Sequence, residues 1–253
     1  MIVLGIDVGG TYTDGVLLEM PGGTVIRKVK VKTDERNLSN SILQCFSRLN
    51  VPSPSLLSRF CLSTTLATNA IVEGTRKDVC AICIGFRPKR AIEYASETVV
   101  IEGRHDAAGR EVQPIDLAAL REAVSRSDRT SFAISGYFGV RNPRHEVLAE
   151  QEVLSMHPSA TVVKGSDLVG ILGMEERIFL AAKNAELIGL MSKFIDSIGS
   201  MAKVPESVIY ILKGDGTLVS TREASRRPIF TVLSGPASSV MGGAALAKVR
   251  DAL

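Results

Sequence analysis

Near the amino terminus, Asp7-Val8-Gly9-Gly10-Thr11-Tyr12-Thr13-Asp14 brings two carboxylates, two adjacent glycines and two threonines into eight positions. These are the residue types of a phosphate cradle. Gly9 and Gly10 carry no Cβ, so their backbone is free to take positive φ and to bring N–H groups against an anion. Thr11 and Thr13 add hydroxyl donors on either side of Tyr12. Asp7 is placed to hold a Mg²⁺ ion or its waters beside a phosphate, which makes it both the metal residue and a catalytic candidate. Asp14 is expected to point to the other face or to brace the loop. The stretch is not a P-loop, because no Gly-Lys-Ser/Thr follows, and it is not a Gly-x-Gly-x-x-Gly dinucleotide turn. An ordinary hairpin with a glycine turn uses the same residues.

A second polar cluster is Ser63-Thr64-Thr65-Leu66-Ala67-Thr68-Asn69-Ala70. Its first hydroxyls suit the cap of a helix starting at about Leu66. Capping explains one hydroxyl well; Thr68 and Asn69 are mediocre helix formers. Polar side chains at a helix start after a strand suit an anionic or carbonyl ligand, so Thr64, Thr65, Thr68 and Asn69 are cleft candidates. In Gly103-Arg104-His105-Asp106-Ala107-Ala108-Gly109-Arg110, His105 beside Asp106 is placed to orient a substrate or act as acid and base, though a solvated turn has the same composition. His145 and His157 read as solvent residues on a helix surface or at a helix end.

These residues need a frame. Apolar runs on either side of the glycines predict a hairpin over 2–18, and Thr24 to Lys32 alternates Val29 and Val31 with lysines, a strand with one solvated face. A helical stripe at 38, 42, 45, 46 and 49 follows. From 78 to 204, strands (79–86, 98–102, 131–135, 160–163) alternate with helices (116–127, 143–156 and one within 175–202), which suggests a second α/β unit inserted in the first. Ser207 to Lys213 is a buried-type strand, and 221–226 a short helix. Ser234-Gly235-Pro236-Ala237 opens a helix with one face nearly all Gly, Ala and Ser, capped by Ser234 or Gly235 and suited to close packing.

The 253 residues carry a formal charge of +3 and no Trp, so neither charge nor stacking surface calls for nucleic acid. No apolar run reaches membrane-span length, and the first residues already read as a strand, so neither membrane span nor signal peptide is expected and the cytoplasm is the expected compartment. Cys80 and Cys83 have Cys-x-x-Cys spacing but lie in a strand-type run, where positions three apart face opposite sides; inert buried thiols are expected.

The octapeptide resembles the first phosphate motif of the actin-like ATPases, and three strands followed by a helix begin that topology. More closely, its Thr-x-Thr-Asp ending and the Thr64-Thr65-Leu66-Ala67-Thr68-Asn69-Ala70 segment resemble the hydantoinase/5-oxoprolinase family. Arg104-x-Asp106-x-x-Gly109, Lys213-Gly214-Asp215-Gly216 and Ser234-Gly235-Pro236-Ala237 also match that pattern. The resemblance implies an α/β fold: an actin-like ATPase (ribonuclease H-like) lobe over 1–77 and 206–253, with an α/β subdomain inserted over 78–205. Ser234, Gly235 and Pro236 would begin the interdomain helix.

The activity so implied is phosphorylation of a cyclic amide by ATP, followed by hydrolytic ring opening. Asp7 would assist Mg²⁺, the loop residues the phosphates, and the threonine cluster the cleft. A carboxylase subunit, a small-molecule kinase of the same superfamily and a non-catalytic, partner-dependent subunit are the alternatives. In that superfamily a second Asp-x-Gly-Gly-Thr loop follows the small-residue helix, and this sequence stops before one. The expectation is an amino-terminal half that needs a carboxyl-terminal half or partner subunit, is inactive alone, and self-associates through its exposed face.

Overall fold

The computed structural model describes residues 1–34, 36–51, 53–74, 78–202 and 204–247. Two compact units form, one from Met1–Glu73 with Gly189–Leu253 and the other from Gly74–Ile188.

In the first unit, β1 (Ile2–Val8) and β2 (Tyr12–Glu19) make an antiparallel hairpin, and β3 (Thr24–Lys32) pairs antiparallel with β2. Strand alternation sends Leu4, Ile6, Val8 and Leu17 to one buried face. Helix α1 (Leu38–Leu49) covers that face, its start capped by Asn37, whose side chain accepts from the Asn40 N–H. Gly15 lets the helix settle on the hairpin, since a Cβ there would overlap Cys45 Sγ and come within 3.0 Å of Leu49. Strand β4 (Leu57–Thr64) lies parallel to β1, and α2 (Leu66–Glu73) follows at its carboxyl end.

The second unit opens with β5 (Val79–Ile84), buried along its whole length as suits the centre of a parallel sheet. Then come β6 (Glu97–Ile101), a small antiparallel hairpin of β7 (Arg104–His105) and β8 (Glu111–Gln113), and α3 (Leu117–Arg126). Strand β9 (Ser131–Gly136), α4 (Arg144–Met156), β10 (Thr161–Lys164), α5 (Gly165–Leu168) and the long α6 (Met174–Ala202) complete it. The parallel order is β10-β9-β5-β6. Cys80 joins the apolar cluster on one side of this sheet and Cys83 the cluster on the other, so both thiols are free and buried.

The chain re-enters the first unit within α6 and adds β11 (Ile209–Leu212), β12 (Leu218–Ser220), α7 (Thr221–Arg226) and α8 (Ser234–Ala247). The first sheet then reads β12-β11-β4-β1-β2-β3. Two expectations for α8 are corrected. Its side chains are largely exposed, Val240, Met241 and Leu246 among them, where close packing was expected. Nor do Ser234 or Gly235 cap it: Leu233, at φ 61°, accepts from the Ala237 N–H, while the Ser234 hydroxyl donates to Thr64 O (3.1 Å) and accepts from the Thr64 N–H (3.3 Å). Ser234 therefore staples α8 to the end of β4.

Candidate functional site

The glycine loop closes through Gly9 N–H donating to Tyr12 O at 3.0 Å. Neither Gly9 nor Gly10 takes the positive φ expected of them. Gly9 serves close approach instead, because a Cβ there would lie 2.9 Å from Tyr12 O, while a Cβ at Gly10 would meet nothing within 4 Å. The loop is strapped from beneath by Thr33: its N–H donates to Thr11 O (2.9 Å), its hydroxyl donates to Gly9 O (2.8 Å), and it lies 3.0 Å from the Thr13 hydroxyl. Thr13 is fully buried, so its hydroxyl fixes the loop and does not reach a ligand. Gly10, Thr11 and Tyr12 remain exposed at the tip.

Register lines up four side chains on the sheet face opposite α1. Ser63 pairs with Asp7, Asp7 with Asp14 and Asp14 with Lys30, one residue from each of β4, β1, β2 and β3. The Ser63 hydroxyl donates to Asp7 Oδ1. Lys30 Nζ lies 3.0 Å from Asp14 Oδ2 and 5.2 Å from the Tyr12 ring centroid. Asp14 thus shares the face of Asp7, which corrects the expectation that it turns away. The row borders a cleft of about 870 Å³ floored by Gly5, Val16 and Cys61 and flanked by Met241 of α8. Lys30 offsets Asp14, and among the described residues Asp7 is held by the Ser63 hydroxyl, a hard oxygen environment that would suit Mg²⁺ with its waters.

At the start of α2, Thr64 is fully buried and its hydroxyl accepts from the Leu66 N–H at 3.1 Å, so it is the cap and not a cleft residue. Thr68 accepts from the Leu233 N–H at 3.0 Å, Thr65 is half-buried, and Asn69 is exposed with its amide 3.4 Å from the Thr65 hydroxyl.

In the second unit, Asp106 closes the β7–β8 turn, accepting from the Ala108 and Arg110 N–H groups and from the Arg110 side chain. The Arg110 N–H contributes most to holding its carboxyl below the usual range. His105 is buried and its ring centroid lies 4.0 Å from that of His145, the two planes tilted by 34°, with burial first and His145 second in pushing its pKa down. Neither residue faces solvent as a free acid or base. His145, expected on the surface, is buried at the start of α4, and His157 is half-buried against Phe132. The side-chain oxygen of Asn142 accepts from the Arg144 N–H at the start of α4, while its amide donates to Gly109 O.

Several residues escaped the sequence reading. Lys30 was visible as part of an alternating basic face, but its pairing with Asp14 follows from strand register. Glu146 is fully buried and accepts from the Gly136 and Ser166 N–H groups at 2.9 and 3.0 Å. Arg177, also buried, donates to the carbonyls of Ile171, Leu172 and Gly136. Nothing in their local sequence marks them as interior.

A glycine-tipped hairpin feeding a parallel strand, with a second α/β unit inserted before the chain returns to the sheet, defines an α/β lobe of the actin-like ATPase type. The model for the hydantoinase/oxoprolinase N-terminal region matches residues 3–156 and that for hydantoinase/oxoprolinase matches 178–252, so the chain belongs to the hydantoinase/oxoprolinase family.

Caprolactamase subunit alpha of Pseudomonas jessenii is 26% identical over 97% of this chain and 40% of its own length. An uncharacterised protein of Methanocaldococcus jannaschii is 24% identical over 97% of this chain and 40% of its own length. Among solved structures, nucleotide-free acetone carboxylase matches with a TM-score of 0.79 at 18% identity, covering 98% of this chain and 41% of its own. The ATP-dependent caprolactamase from Pseudomonas jessenii matches at 0.77 and 24% identity, covering 97% and 40%. The chain therefore spans about two fifths of the length of these relatives. Among the described residues, no helix is long and apolar enough to cross a membrane.

Proposed function

We propose that this chain is the phosphate-loop portion of an ATP-dependent hydrolase that opens cyclic amides, acting with Mg²⁺ and with a partner subunit or further chain that supplies the opposite wall of the nucleotide site. The observation that carries the reading is the Ser63–Asp7–Asp14–Lys30 row beside the exposed Gly10-Thr11 tip. In this reading the backbone N–H groups of Gly10 and Thr11 and the Thr11 hydroxyl meet the phosphates, and Ser63 fixes the Asp7 carboxylate toward the metal. Mg²⁺ would neutralise phosphate charge during transfer. The γ-phosphoryl group passes from ATP to the amide oxygen with release of ADP; water then adds to the activated carbon, the ring C–N bond breaks with the nitrogen taking a proton, and a second water releases phosphate from the new carboxyl. Thr65 and Asn69 are left as the cleft-facing members of the second cluster.

Support for an amide substrate comes from the caprolactamase relative, and support for a second contributor from the physics of the clamp. Phosphoryl transfer is catalysed by positioning and charge stabilisation from several sides, and one loop supplies one side.

Calorimetric titration of Mg²⁺-ATP tests the reading, with this chain alone and with the remaining subunits, against Asp7→Asn. We expect binding that needs Mg²⁺ and is lost in the variant, with ring opening of a lactam, hydantoin or 5-oxoproline in the complete assembly. Binding indifferent to Mg²⁺ and to Asp7→Asn would overturn the loop assignment. A phosphorylated product that accumulates unopened would turn the reading to a kinase.

A further inference from the structure

We infer that His105, Glu111 and His145 form a binding site for a first-row divalent ion of the Zn²⁺ type, separate from the phosphate loop and contained within the second unit. One ligand atom from each residue lies within 4.8 Å of the others. His105 and Glu111 are register partners in the β7–β8 hairpin, and His145 is the second residue of α4. His145 Nε2 is already 2.7 Å from Glu111 Oε1.

The observation that points to a ligand is His105. The residue is 1% exposed, and among the described residues neither Nδ1 nor Nε2 has a hydrogen-bond partner. A neutral imidazole carries one N–H donor and one lone pair, and burying both unmet is a cost that folded proteins rarely carry without a bound water or ion. A metal ion accepts the lone pairs of both rings at once, and the single carboxylate offsets part of its charge.

The surroundings hold the ligands in place without supplying any. Asp106 locks the hairpin turn through three donors, and Asn142, just before α4, donates to Gly109 O at the hairpin tip at 2.9 Å. Gly103 takes φ 148° and brings its backbone against His145, where a Cβ would lie 3.3 Å from Nδ1. Two histidines are thus fixed on rigid elements, while Glu111, with a side chain 40% exposed, is free to back away as an ion enters. Tetrahedral ligation with metal–nitrogen bonds of about 2.0–2.1 Å sets ligand atoms roughly 3.3–3.4 Å apart, a spacing inside the 4.8 Å spread of the three and reached when Glu111 draws back from its 2.7 Å contact with His145.

Ligand chemistry selects the ion. Two imidazoles and one carboxylate suit Zn²⁺, Co²⁺ or Ni²⁺, whereas Mg²⁺ and Ca²⁺ prefer oxygen throughout. Three protein ligands leave a position open to water on the solvent side, where Glu111 is exposed.

The test uses the whole chain, stripped with a chelator and titrated with Co²⁺ and Zn²⁺ under reducing conditions. We expect one Co²⁺ per chain, with visible bands of a nitrogen and oxygen site and no thiolate charge-transfer band, and a rise in Tm with Zn²⁺. Glu111→Gln, at an exposed position, is expected to lower affinity by at least about tenfold, and His105→Leu to abolish it. Circular dichroism confirms that each variant is folded. No stoichiometric binding, binding equal in wild type and Glu111→Gln, or a thiolate band that assigns the metal to cysteine would each overturn the site.

Discussion

Asp7 and Asp14 are register partners across the β1–β2 hairpin, yet among the described residues it is Asp14 that forms an ion pair, with Lys30. Asp7 is instead held by the Ser63 hydroxyl. Ser63→Ala is therefore expected to weaken Mg²⁺-dependent nucleotide binding by about 10–100-fold, the effect of losing a partner that orients a metal ligand. Asp14→Asn removes a pair exposed on both sides and should change stability by no more than about 1 kcal/mol. Calorimetry and urea unfolding of the two variants separate the roles.

Gly15→Ala should destabilise the first unit by about 1–3 kcal/mol, since the added methyl overlaps Cys45 Sγ and crowds Leu49. Cys45→Ala in the same chain is expected to restore part of the loss. A double-mutant cycle in urea measures that coupling.

The buried thiols predict a pH dependence. Burial is the largest cause that pushes Cys80 and Cys83 up to about 12 and Cys45 to about 11, from an ordinary value of 9.0. The folded state keeps these protons when the unfolded chain has lost them, so their contribution is whole below pH 9 and is lost progressively between about pH 9 and 12. Unfolding free energy measured across that range should fall, and aromatic disulfide reagents should label the half-buried Cys61 before the other three.

Glu146→Ala should cost about 2–4 kcal/mol, because it strands the buried Gly136 and Ser166 N–H groups. Loss of thermal stability and faster amide exchange at those two residues are the expected signs.

Val240 and Leu246 leave apolar surface on α8, at 71% and 88% exposure. Self-association is expected through that face, and a Val240→Lys, Leu246→Lys double variant should shift sedimentation toward the monomer.

Much of this was legible in one dimension. Period-two alternation gave the β1–β2–β3 frame, and an apolar stripe at helical spacing gave α1, because strand and helix periods are set by neighbours in sequence. The Asp-x-Gly-Gly-Thr tip and the Thr64 to Ala70 segment pointed to the family for the same reason. Errors arose where a side chain's surroundings come from elsewhere in the chain. Thr13 looked like a phosphate donor, but β2 turns it toward Thr33. Ser234 looked like a cap, but β4 claims its hydroxyl. His145 looked like a surface residue, but the β7–β8 hairpin closes over it.

The sequence by itself determined the elements, their order and the residue types at the loop, since these rest on backbone preference and local hydrophobic period. Tertiary structure alone decided which polar groups meet: that Ser63, Asp7, Asp14 and Lys30 form one row, and that two distant histidines lie together beside a glutamate. Those meetings depend on strand pairing and register, and for Ser63 and His145 on segments tens of residues away; a one-residue slip would turn each strand side chain to the other face.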